Sequence, residues 1–551
     1  MSLSKEQEIF NSILKARGLS EAKSRDDFLN PDYHTLHDPF LLPDIHQAVD
    51  RIKVAKDNGE LVYIYGDYDV DGLTATALLL DALSSFGIET ASYIPNRFTQ
   101  GYGMSVEGIR AIARSGAKLI ITVDCGSKSL EEVELANKLG LDVIITDHHT
   151  LGDKLPEAIS VINPKRADSK YPFNDLAGVG VAFKLVCALQ QKLDGLPDGQ
   201  EKWLLDLVAM GTTCDVVSLT GENRPIAYWG IEVARQAKRP ALRALSKVSS
   251  TELNDIDTTI FGFRFGPRLN AVGRLETAQA GLELLSSTDT QTADKLAKKL
   301  DELNSKRRQI QSVIYDGAVQ MAVNSNDDVL VLANKGWSHG VVGIVASRIV
   351  EEFAKPTFII EIIDADAKGS ARSFGDFNLA QALNAVSKYI IKGGGHAMAA
   401  GVSLETQKID KFRQAINRYY REQKLGDQSH YGIVHEDLVL ESFAGLNENL
   451  IELLKKLEPY GEGNRKPIFK ITTAQVVDYR RVGADKKHLK LTLSDADGIS
   501  LDAIGFNLAK ALSEDTEELD AYFNLELNTF RDETKVQLNL LQISPLDGKK
   551  S

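Results

Sequence analysis

Three aspartates stand at alternate positions in the stretch GDYDVDG, at Asp67, Asp69 and Asp71. Residues 61–66 alternate between apolar and aromatic types and end in glycine, which predicts a short buried strand. Residues 73–83 are apolar and rich in alanine and leucine, which predicts a helix. Carboxylates this close repel one another unless cations neutralise them. The stretch therefore predicts a cation site on the turn between a strand and a helix.

The same spacing has two other interpretations. One is a polar turn that holds no ion. The other is a calcium-binding EF-hand loop, which begins Asp-x-Asp-x-Asp-Gly and requires a glutamate at its twelfth position. Counted from Asp67, that position is Leu78, so we do not favour the calcium loop.

Polar residues also follow two later strands. Residues 119–123 form a mainly apolar run, which predicts a buried strand, and Asp124 follows it. Residues 143–146 form a second run of this kind, and the sequence DHH follows it at residues 147–149. Strands that alternate with helices predict a parallel sheet wound on both faces. The carboxyl ends of such strands face one crevice, where ligands collect. We therefore expect these acids and histidines to meet the three aspartates there.

Asp215 lies in a stretch, residues 210–219, that is otherwise uncharged. Its side chain could cap a helix, since Val216 and Val217 follow it. It could also reach the crevice as a fourth carboxylate. Both interpretations stay open on the sequence alone.

The segment RFGPRLNAVGRL carries Arg264, Arg268 and Arg274 among glycines and a proline, and we predict it to be a loop. Arginines on a glycine-rich loop suit phosphate contacts. They suit salt bridges between domains equally well, so both alternatives stay open.

The length of 551 residues suggests about three or four domains. Residues 288–323 carry apolar residues at steps of three or four behind a Thr288–Gln291 capping pair, which predicts one long amphipathic helix. The predicted segments are an N-terminal helical extension of the first domain (1–60), a first α/β domain (61–285), a connecting helix (286–325), a second α/β domain (326–425) and a C-terminal β domain (426–551).

From Pro467 onward the pattern is all-β, with five strand candidates and an Asp-Gly hairpin turn. Five short strands over about 80 residues fit a small barrel of the OB type, a common platform for single-stranded nucleic acid. A basic cluster on this domain predicts a polyanionic partner, although a solvated hairpin explains it as well. The cluster consists of Arg480, Arg481, Lys486, Lys487, His488 and Lys490.

Composition limits the class of protein. Apolar residues make up 43% and charged residues 26%, which is ordinary for a globular chain with a large core. The net charge of −13 is not typical of a nucleic-acid binder, but carboxylates that hold metal ions contribute to it. The three cysteines show no Cys-x-x-Cys spacing, which indicates neither a disulfide framework nor a zinc ribbon. No run approaches about 18 apolar residues, so we expect a cytoplasmic protein without a membrane partner.

The motifs together resemble a known family. GDYDVDG, VDCG, ITDHH and GTTCDVV are similar, in this order, to the four motifs of the DHH phosphoesterases. GWSHGVVGIVASR, SARS and GGGHAMAAG resemble the DHH-associated domain, and the GPRLNA segment with the β-barrel resembles the RecJ branch of bacterial exonucleases. The resemblance implies two α/β domains joined by a long helix and followed by an OB-type barrel. It also implies an exonuclease that degrades single-stranded DNA from its 5′ end in recombination and repair.

The resemblance further implies a pair of Mn²⁺ or Mg²⁺ ions, the metals that carboxylate and imidazole ligands favour. Two such ions activate a water and stabilise both the attacking and the leaving oxygen at phosphorus. The implied ligands are Asp71, Asp124, His148 and Asp215 for one ion, and Asp69, Asp124 and Asp67 for the other.

Tyr65 departs from the small, pyrophosphatase-like branch of the family, which carries a histidine four positions before the middle acid of its first motif. The second ion therefore rests on fewer strong ligands, and its occupancy stays open. The resemblance places His149 against the scissile phosphate rather than against an ion. Asp147 would orient a histidine.

Substrate residues are implied in the same way. Arg97, Ser370 and Arg372 match positions that grip a 5′-phosphate, and such a pocket would set the polarity because only a chain end fits it. A channel between the two α/β domains, too narrow for a duplex, would explain the preference for single strands. The resemblance also implies three residues that face the ions from the substrate side: Arg268, His339 and His396. Together with Asp124 and His149, these are the implied catalytic residues.

The family suggests a single-strand-binding protein and a RecQ-type helicase as partners of a monomeric enzyme. Two alternatives remain. A phosphodiesterase for oligoribonucleotides or cyclic dinucleotides shares the motifs but usually lacks the inserted helices and the barrel. A non-catalytic binding protein of the same fold would have lost ligands, whereas every expected acid and histidine is present here.

Overall fold

The computed structural model describes residues 3–97, 99–425, 434–513, 515–530 and 533–546. These residues form two compact units, which we call the α/β unit and the barrel unit. The predicted start of the β domain, residues 426–433, lies outside the described residues. The α/β unit contains His37–Asp215 and Gly230–Gly432, and the barrel unit contains Met1–Leu36, Val216–Trp229 and Ile433–Ser551.

The first sheet of the α/β unit has five strands: β1 (Val62–Gly66), β2 (Thr90–Tyr93), β3 (Leu119–Val123), β4 (Asp142–Thr146) and β5 (Ser160–Ile162). All of its pairings are parallel, and the strand order is β2-β1-β3-β4-β5. The central strands consist mainly of buried valine and isoleucine, as expected for a sheet covered on both faces. The predicted parallel sheet is confirmed, although the sequence pattern does not predict β5.

Helices before the long connecting helix are α1 (Lys5–Ala16), α2 (Ala22–Leu29), α3 (Ile45–Asn58), α4 (Val70–Ser85), α5 (Val106–Arg114), α6 (Leu130–Lys138), α7 (Gly178–Gln190), α8 (Leu205–Cys214), α9 (Asn223–Gln236), α10 (Pro240–Ser249), α11 (Thr258–Ile260), α12 (Gly266–Leu275) and α13 (Gln279–Ser286). Helix α4 is buried along most of its length between α7 and α8. Because Asp69 caps α4 by accepting the Gly72 N–H at 3.1 Å, the helix starts earlier than predicted. Asp71 therefore lies in its first turn.

The arginine-bearing segment is helical, so the predicted loop is wrong. A π-helical turn, Phe261–Phe265, runs directly into α12. Pro267 stands in the first turn of α12, directly after the π-helical turn. The glycines of this segment, Gly266 and Gly273, are therefore buried helical positions.

The long connecting helix is confirmed as α14 (Thr290–Val323), with 34 residues. Its predicted cap is wrong. The side chain of Asp289, rather than a Thr288–Gln291 pair, accepts the N–H of Thr292 at 2.7 Å. A carboxylate also suits the positive end of the helix dipole.

The second sheet contains β6 (Leu330–Lys335), β7 (Thr357–Ile363), β8 (Asp366–Arg372), β9 (Lys392–Gly395) and β10 (Ala399–Glu405), with α15 (His339–Phe353), α16 (Leu379–Ala385) and α17 (Ile409–Glu422). The strand order is β6-β7-β8-β10-β9. Only β6 and β7 are parallel, and the other pairings are antiparallel. The first three residues of the SARS motif are the last three of β8. The side chains on the buried face of this strand are small, so its sequence lacks the alternation of large apolar and polar residues that predicts a strand.

The barrel unit contains β11 (Leu438–Leu440), α18 (Glu448–Lys455), β12 (Phe469–Val482), β13 (His488–Ser494), β14 (Ser500–Gly505), β15 (Glu518–Phe530) and β16 (Glu533–Pro545). Strands β12, β13, β14, β16 and β15 pair in this order, and β15 pairs back to β12. The closed five-stranded barrel confirms the predicted OB type, and β11 adds a parallel strand at β12.

Helix α1 packs into the core of the barrel unit. Its apolar face carries Ile9, Phe10, Ile13 and Leu14, which join the cluster that the barrel strands and α18 form. The sequence-based boundary instead places residues 1–60 with the first α/β domain. An amphipathic helix shows which face is buried but not which partner covers it. The other domain boundaries stay predictions.

Among the described residues, no helix combines the length and the apolar composition that a membrane crossing requires.

Candidate active site

The register of the first sheet aligns three acids. The last residues of β1, β3 and β4 pair level with one another. The residues that come next are Asp67, Asp124 and Asp147, all of which are buried. They therefore meet at the carboxyl edge of the sheet, as the sequence predicts.

Within the part of the chain that the structure describes, three groups of acids and histidines could hold a metal ion. Within each group, the candidate ligand atoms lie within 4.8 Å of one another. Asp124 and His148 each belong to two groups, so the groups adjoin. All of the predicted metal ligands lie in them. The groups are Asp71, His148 and Asp215; Asp67, Asp69 and Asp124; and Asp124, His148 and His149.

His148 lies at the centre of these acids. Its Nε2 atom is 3.2 Å from Asp124 Oδ1, 3.5 Å from Asp215 Oδ2 and 3.8 Å from Asp71 Oδ2. Burial, followed by the charge of His149, lowers the pKa of His148 to about 3. The ring is therefore neutral near pH 7 and has a nitrogen lone pair for a metal. Asp215 ends α8 and reaches the crevice, as the second interpretation of the sequence predicts.

Helix α7 positions Asp71. The backbone N–H groups of Gly178 and Val179, in the first turn of α7, donate to the Asp71 carboxylate at 2.6 and 2.8 Å. Helix N-termini favour anions in this way. Burial and the nearby Asp69 nevertheless raise the pKa of Asp71 to about 7. The Asp71 carboxylate is therefore held in place by α7, but the positive charge around it does not offset its burial and the repulsion from Asp69.

Asp215 and Asp124 also have too little positive charge around them to offset their burial. Burial, followed by neighbouring carboxylates, raises the pKa of Asp215 to about 9 and that of Asp124 well above its usual range. The Oδ1 atoms of Asp67 and Asp124 are buried and accept no hydrogen bond within the described chain. Oxygens of this kind, beside a neutral imidazole, fit a hard divalent cation such as Mn²⁺ or Mg²⁺.

The backbone at Asp124 is strained. Asp124 has a φ of 60°, in the left-handed region that non-glycine residues seldom adopt. Gly178 lies against it, since a Cβ atom on Gly178 would stand 2.6 Å from Asp124 Cβ and 2.9 Å from its Cα. Strained residues of this kind cluster at functional sites. Gly178 therefore allows α7 to reach both Asp71 and Asp124.

Asp147 orients His149. Its Oδ1 atom accepts the backbone N–H groups of both histidines at 2.8 and 3.1 Å, and it lies 2.9 Å from His149 Nδ1. Burial opposes ionisation of both partners, but their hydrogen bond and charges hold the pKa of Asp147 well below its ordinary value and raise the pKa of His149. The His149 side chain remains 40% exposed, so a substrate group could reach it.

The sequence does not predict two residues of this site. Tyr102 donates from its hydroxyl to the Asp124 carbonyl at 3.1 Å, and the same oxygen lies 3.1 Å from a ring nitrogen of His149. Asn163 follows β5 and donates to the His149 carbonyl at 2.9 Å. The short apolar run before Asn163 is a usable signal, because it resembles the other strand ends. The glycine-rich loop around Tyr102 carries none.

Arg97, Ser370 and Arg372 belong to a basic region around α15. A Cβ atom on Gly343 of α15 would lie 3.5 Å from Arg372 Nη2 and 3.5 Å from Ser370 Oγ. Burial, followed by the positive charge of Arg97, lowers the pKa of Arg372. His339 starts α15, and burial and the charge of Arg97 lower its pKa as well. All four predicted residues thus lie in one part of the unit.

Two other predicted residues have different surroundings. The Arg268 guanidinium forms an ion pair with Asp301 of α14 at 2.8 Å and donates to the Arg264 carbonyl at 2.7 Å. His396 is exposed on the turn between β9 and β10. His396 does not belong to the groups of possible metal ligands around His148.

Three families of known domains match the chain. The DHH family N-terminal domain matches residues 61–212, the DHHA1 domain residues 326–422 and the RecJ OB domain residues 437–542. The single-stranded-DNA-specific exonuclease RecJ of Dickeya dadantii is 38% identical over 530 residues, which cover 92% of this chain and 91% of that protein. The chain belongs to the RecJ family. The matched RecJ OB domain also weighs against the small-substrate alternative.

RecJ of Bacillus subtilis is 40% identical over 503 residues, which cover 90% of this chain. The chain spans 62% of that longer protein. Among solved structures, RecJ from Thermus thermophilus in complex with Mn²⁺ has a TM-score of 0.82 and 27% identity, covering 98% of this chain and 76% of its own. The Mg²⁺ complex of the same protein has a TM-score of 0.76 and 25% identity, covering 98% and 74%.

Proposed function

We propose that the chain hydrolyses single-stranded DNA from its 5′ end with a pair of Mn²⁺ or Mg²⁺ ions. The observation that carries this proposal is the meeting of carboxylates and His148 in adjoining groups at one sheet edge. Membership of the RecJ family gives the substrate class. The relatives solved with Mn²⁺ and with Mg²⁺ support the choice of metals.

Asp124 would be shared by the two ions, because it groups with Asp67 and Asp69, and its Oδ1 atom lies 3.2 Å from Nε2 of His148, which groups with Asp71 and Asp215. Asp71, His148 and Asp215 would complete one ligand set, and Asp67 and Asp69 the other. When bound, such ions activate water and stabilise the attacking and leaving oxygens. The raised pKa values of Asp124 and Asp215 agree with this role, since positive charge would relieve their repulsion.

His149 would donate to an oxygen of the scissile phosphate. Its raised pKa favours the protonated ring, and Asp147 holds the ring in one orientation. The Tyr102 hydroxyl limits rotation of the ring from the other side. These contacts leave His149 to act on the substrate rather than on an ion.

Arg97, Ser370 and Arg372 would bind the 5′-phosphate, which sets the polarity of degradation. His339 and His396 would approach the strand from the second α/β domain. Arg268 would have to exchange its ion pair with Asp301 for a phosphate. The enzyme would act as a cytoplasmic monomer in recombination and repair, with a single-strand-binding protein and a RecQ-type helicase as partners.

The polarity is tested with one long, 5′-phosphorylated single strand in Mn²⁺, labelled either at its 5′ end or at its 3′ end. We expect the 5′ label to be released at once as a mononucleotide or short product, while the 3′ label moves down a ladder. A duplex of the same sequence is the control and should resist. The reverse assignment of labels, or equal cutting of the duplex, would contradict the proposal.

We further propose that the barrel unit holds the strand through the basic face of β12 and β13. Arg480 and Lys490 pair directly across these strands, where like charges destabilise a sheet unless an anion neutralises them. Phe506 is 57% exposed and lies edge-on to His488, with ring centroids 5.4 Å apart. Exposed rings beside cations suit stacked bases and phosphates.

Replacing Arg480, Lys486 and Lys490 together by alanine should weaken binding of long strands and reduce its salt dependence. Each phosphate contact to a single strand contributes about 0.7 to the slope of log K against log salt, so three lost contacts lower it by about 2. Binding is measured by fluorescence anisotropy over a salt series. Lys535→Ala is the control, because Lys535 is exposed on the barrel and paired with Glu533 at 2.9 Å. An unchanged slope in the triple variant would leave the solvated hairpin as the explanation.

A further inference from the structure

A group of basic side chains around the start of α15 is larger than the sequence predicts. The resemblance implies that Arg97 and Arg372 bind the 5′-phosphate and that His339 faces the ions from the substrate side. Two further arginines join them. Arg274 ends α12, and Arg307 lies on α14. We call these five residues the basic pocket.

Backbone contacts bring the pocket together. Arg274 Nη1 donates to the carbonyl of Gly340, in the first turn of α15, at 3.2 Å. A Cβ atom on Gly273 would lie 3.1 Å from the Tyr68 carbonyl oxygen. The Arg97 guanidinium carbon lies 5.0 Å from the Tyr68 ring centroid. Arg97 and the residue before Arg274 therefore lie against the same tyrosine. Arg274 contacts α15 at Gly340, which is about one helical turn before Gly343, the residue that faces Ser370 and Arg372.

Among the described residues, the four arginines of the pocket form no ion pair. Two acids lie near the pocket: burial raises the pKa of Asp67 while the positive charge of Arg97 opposes the rise, and Glu361 Oε2 accepts the His339 backbone N–H at 3.0 Å. Burial, followed by the positive charges of Arg97 and Arg307, lowers the pKa of Arg274 to about 10. Burial, followed by the charge of the adjacent Arg308, lowers the pKa of Arg307, and the Arg307 Nε atom is buried without a hydrogen-bond partner in the described chain. The charges that act most strongly on these guanidinium groups are thus other cations. Buried cations in this arrangement require an anion.

We infer that Arg274 and Arg307 complete the pocket for the terminal 5′-phosphate and determine its selection over a 5′-hydroxyl end. This inference rests on the proposed function. A phosphomonoester carries about −1.5 to −2 charge near pH 7, whereas an internal phosphodiester carries only one. Several arginines without acidic partners therefore favour the chain end. The planar guanidinium also matches phosphate oxygens in pairs.

The hydrogen bond from Arg274 to Gly340 also supports this role. One nitrogen of Arg274 holds the Gly340 carbonyl, and the rest of the guanidinium remains for the phosphate. The same side chain thus fixes the first turn of α15, which carries His339. Lysine at this position keeps the charge but cannot make both contacts, so Arg274→Lys should recover only part of the selectivity.

The test compares Arg274→Gln and Arg307→Gln with two matched controls. Arg264→Gln removes an arginine of the adjoining π-helical turn whose guanidinium binds Ser250 O and Thr251 Oγ1, both at 3.1 Å. Arg308→Gln removes the exposed neighbour of Arg307 on α14. For each variant, KM and kcat are measured in Mn²⁺ on one short single strand with a 5′-phosphate or a 5′-hydroxyl.

We expect both test variants to raise KM for the phosphorylated strand at least tenfold, with kcat and the KM for the hydroxyl strand within threefold of wild type. The controls should keep the wild-type preference. An unchanged preference in Arg307→Gln would overturn the inference, and this variant decides alone if Arg274→Gln does not fold. A wild-type enzyme that degrades neither strand would instead overturn the proposed function.

Discussion

Asp124→Ala abolishes cleavage of single-stranded DNA and leaves the protein folded. Asp124 groups with Asp67 and Asp69 and lies 3.2 Å from His148, a member of the other proposed ligand set, so its loss removes a ligand that both ions would share. Metal ions contribute several kcal/mol of transition-state stabilisation, and we therefore expect kcat to fall by at least about 10³-fold. The measurement is Mn²⁺-dependent release of nucleotides at saturating strand concentration.

The same variant should melt at a higher temperature than wild type in EDTA. Four carboxylates, those of Asp71, Asp69, Asp67 and Asp215, act on Asp124 and raise its pKa after burial. Removing one acid relieves that repulsion when no ion is present. Asp153→Ala, at an exposed loop position, is the control and should change neither quantity. Activity of Asp124→Ala within tenfold of wild type would refute the shared-ligand assignment.

Gly178→Ala lowers metal affinity although it replaces none of the ligand residues. The new Cβ atom would stand 2.6 Å from Asp124 Cβ, so either the strained turn at Asp124 or the first turn of α7 must move. That turn of α7 also holds Asp71 through two N–H groups. Loss of such supporting contacts typically costs about 10–100-fold in metal affinity. Overpacking should also reduce the free energy of unfolding by about 1–3 kcal/mol.

Gly180→Ala is the matched control for this prediction. It lies on the same helix, but its new Cβ atom would meet only the Leu176 side chain, at 3.4 Å. Mn²⁺ activation curves and thermal melts of the two variants give the comparison. Equal Mn²⁺ affinity in both variants would show that α7 does not position the ligands.

The strand ends of the first sheet are the part of the site that sequence reasoning recovers. Asp124 and Asp147 follow strands whose residues are nearly all apolar, and parallel strands end at a common edge. At these positions the apolar pattern of each strand and the parallel order of the sheet predict the same location for the acids. The acids at the strand ends follow from that agreement, whereas Asp215, at the end of α8, is assigned to the metal site only through the family resemblance.

Residues that act through long-range packing are not recovered. Nothing local marks Gly178 as the residue that fits under Asp124, because the contact joins positions far apart in sequence. The sequence predicts only that Arg307 lies on the polar face of a long helix. Its position near Arg274 depends on how α14 packs in the fold. The α12 segment contains glycine and proline, which favour a loop locally, but burial of Leu269 and Val272 stabilises the helix.

The central claim is that separate strand ends and helix ends jointly hold two divalent ions. Anomalous diffraction from crystals of the full chain soaked in manganese tests it directly. We expect two peaks about 3.5–4 Å apart, with the Asp124 carboxylate between them and His148 beside one. A single peak, or peaks away from these side chains in crystals of an active preparation, would contradict the account.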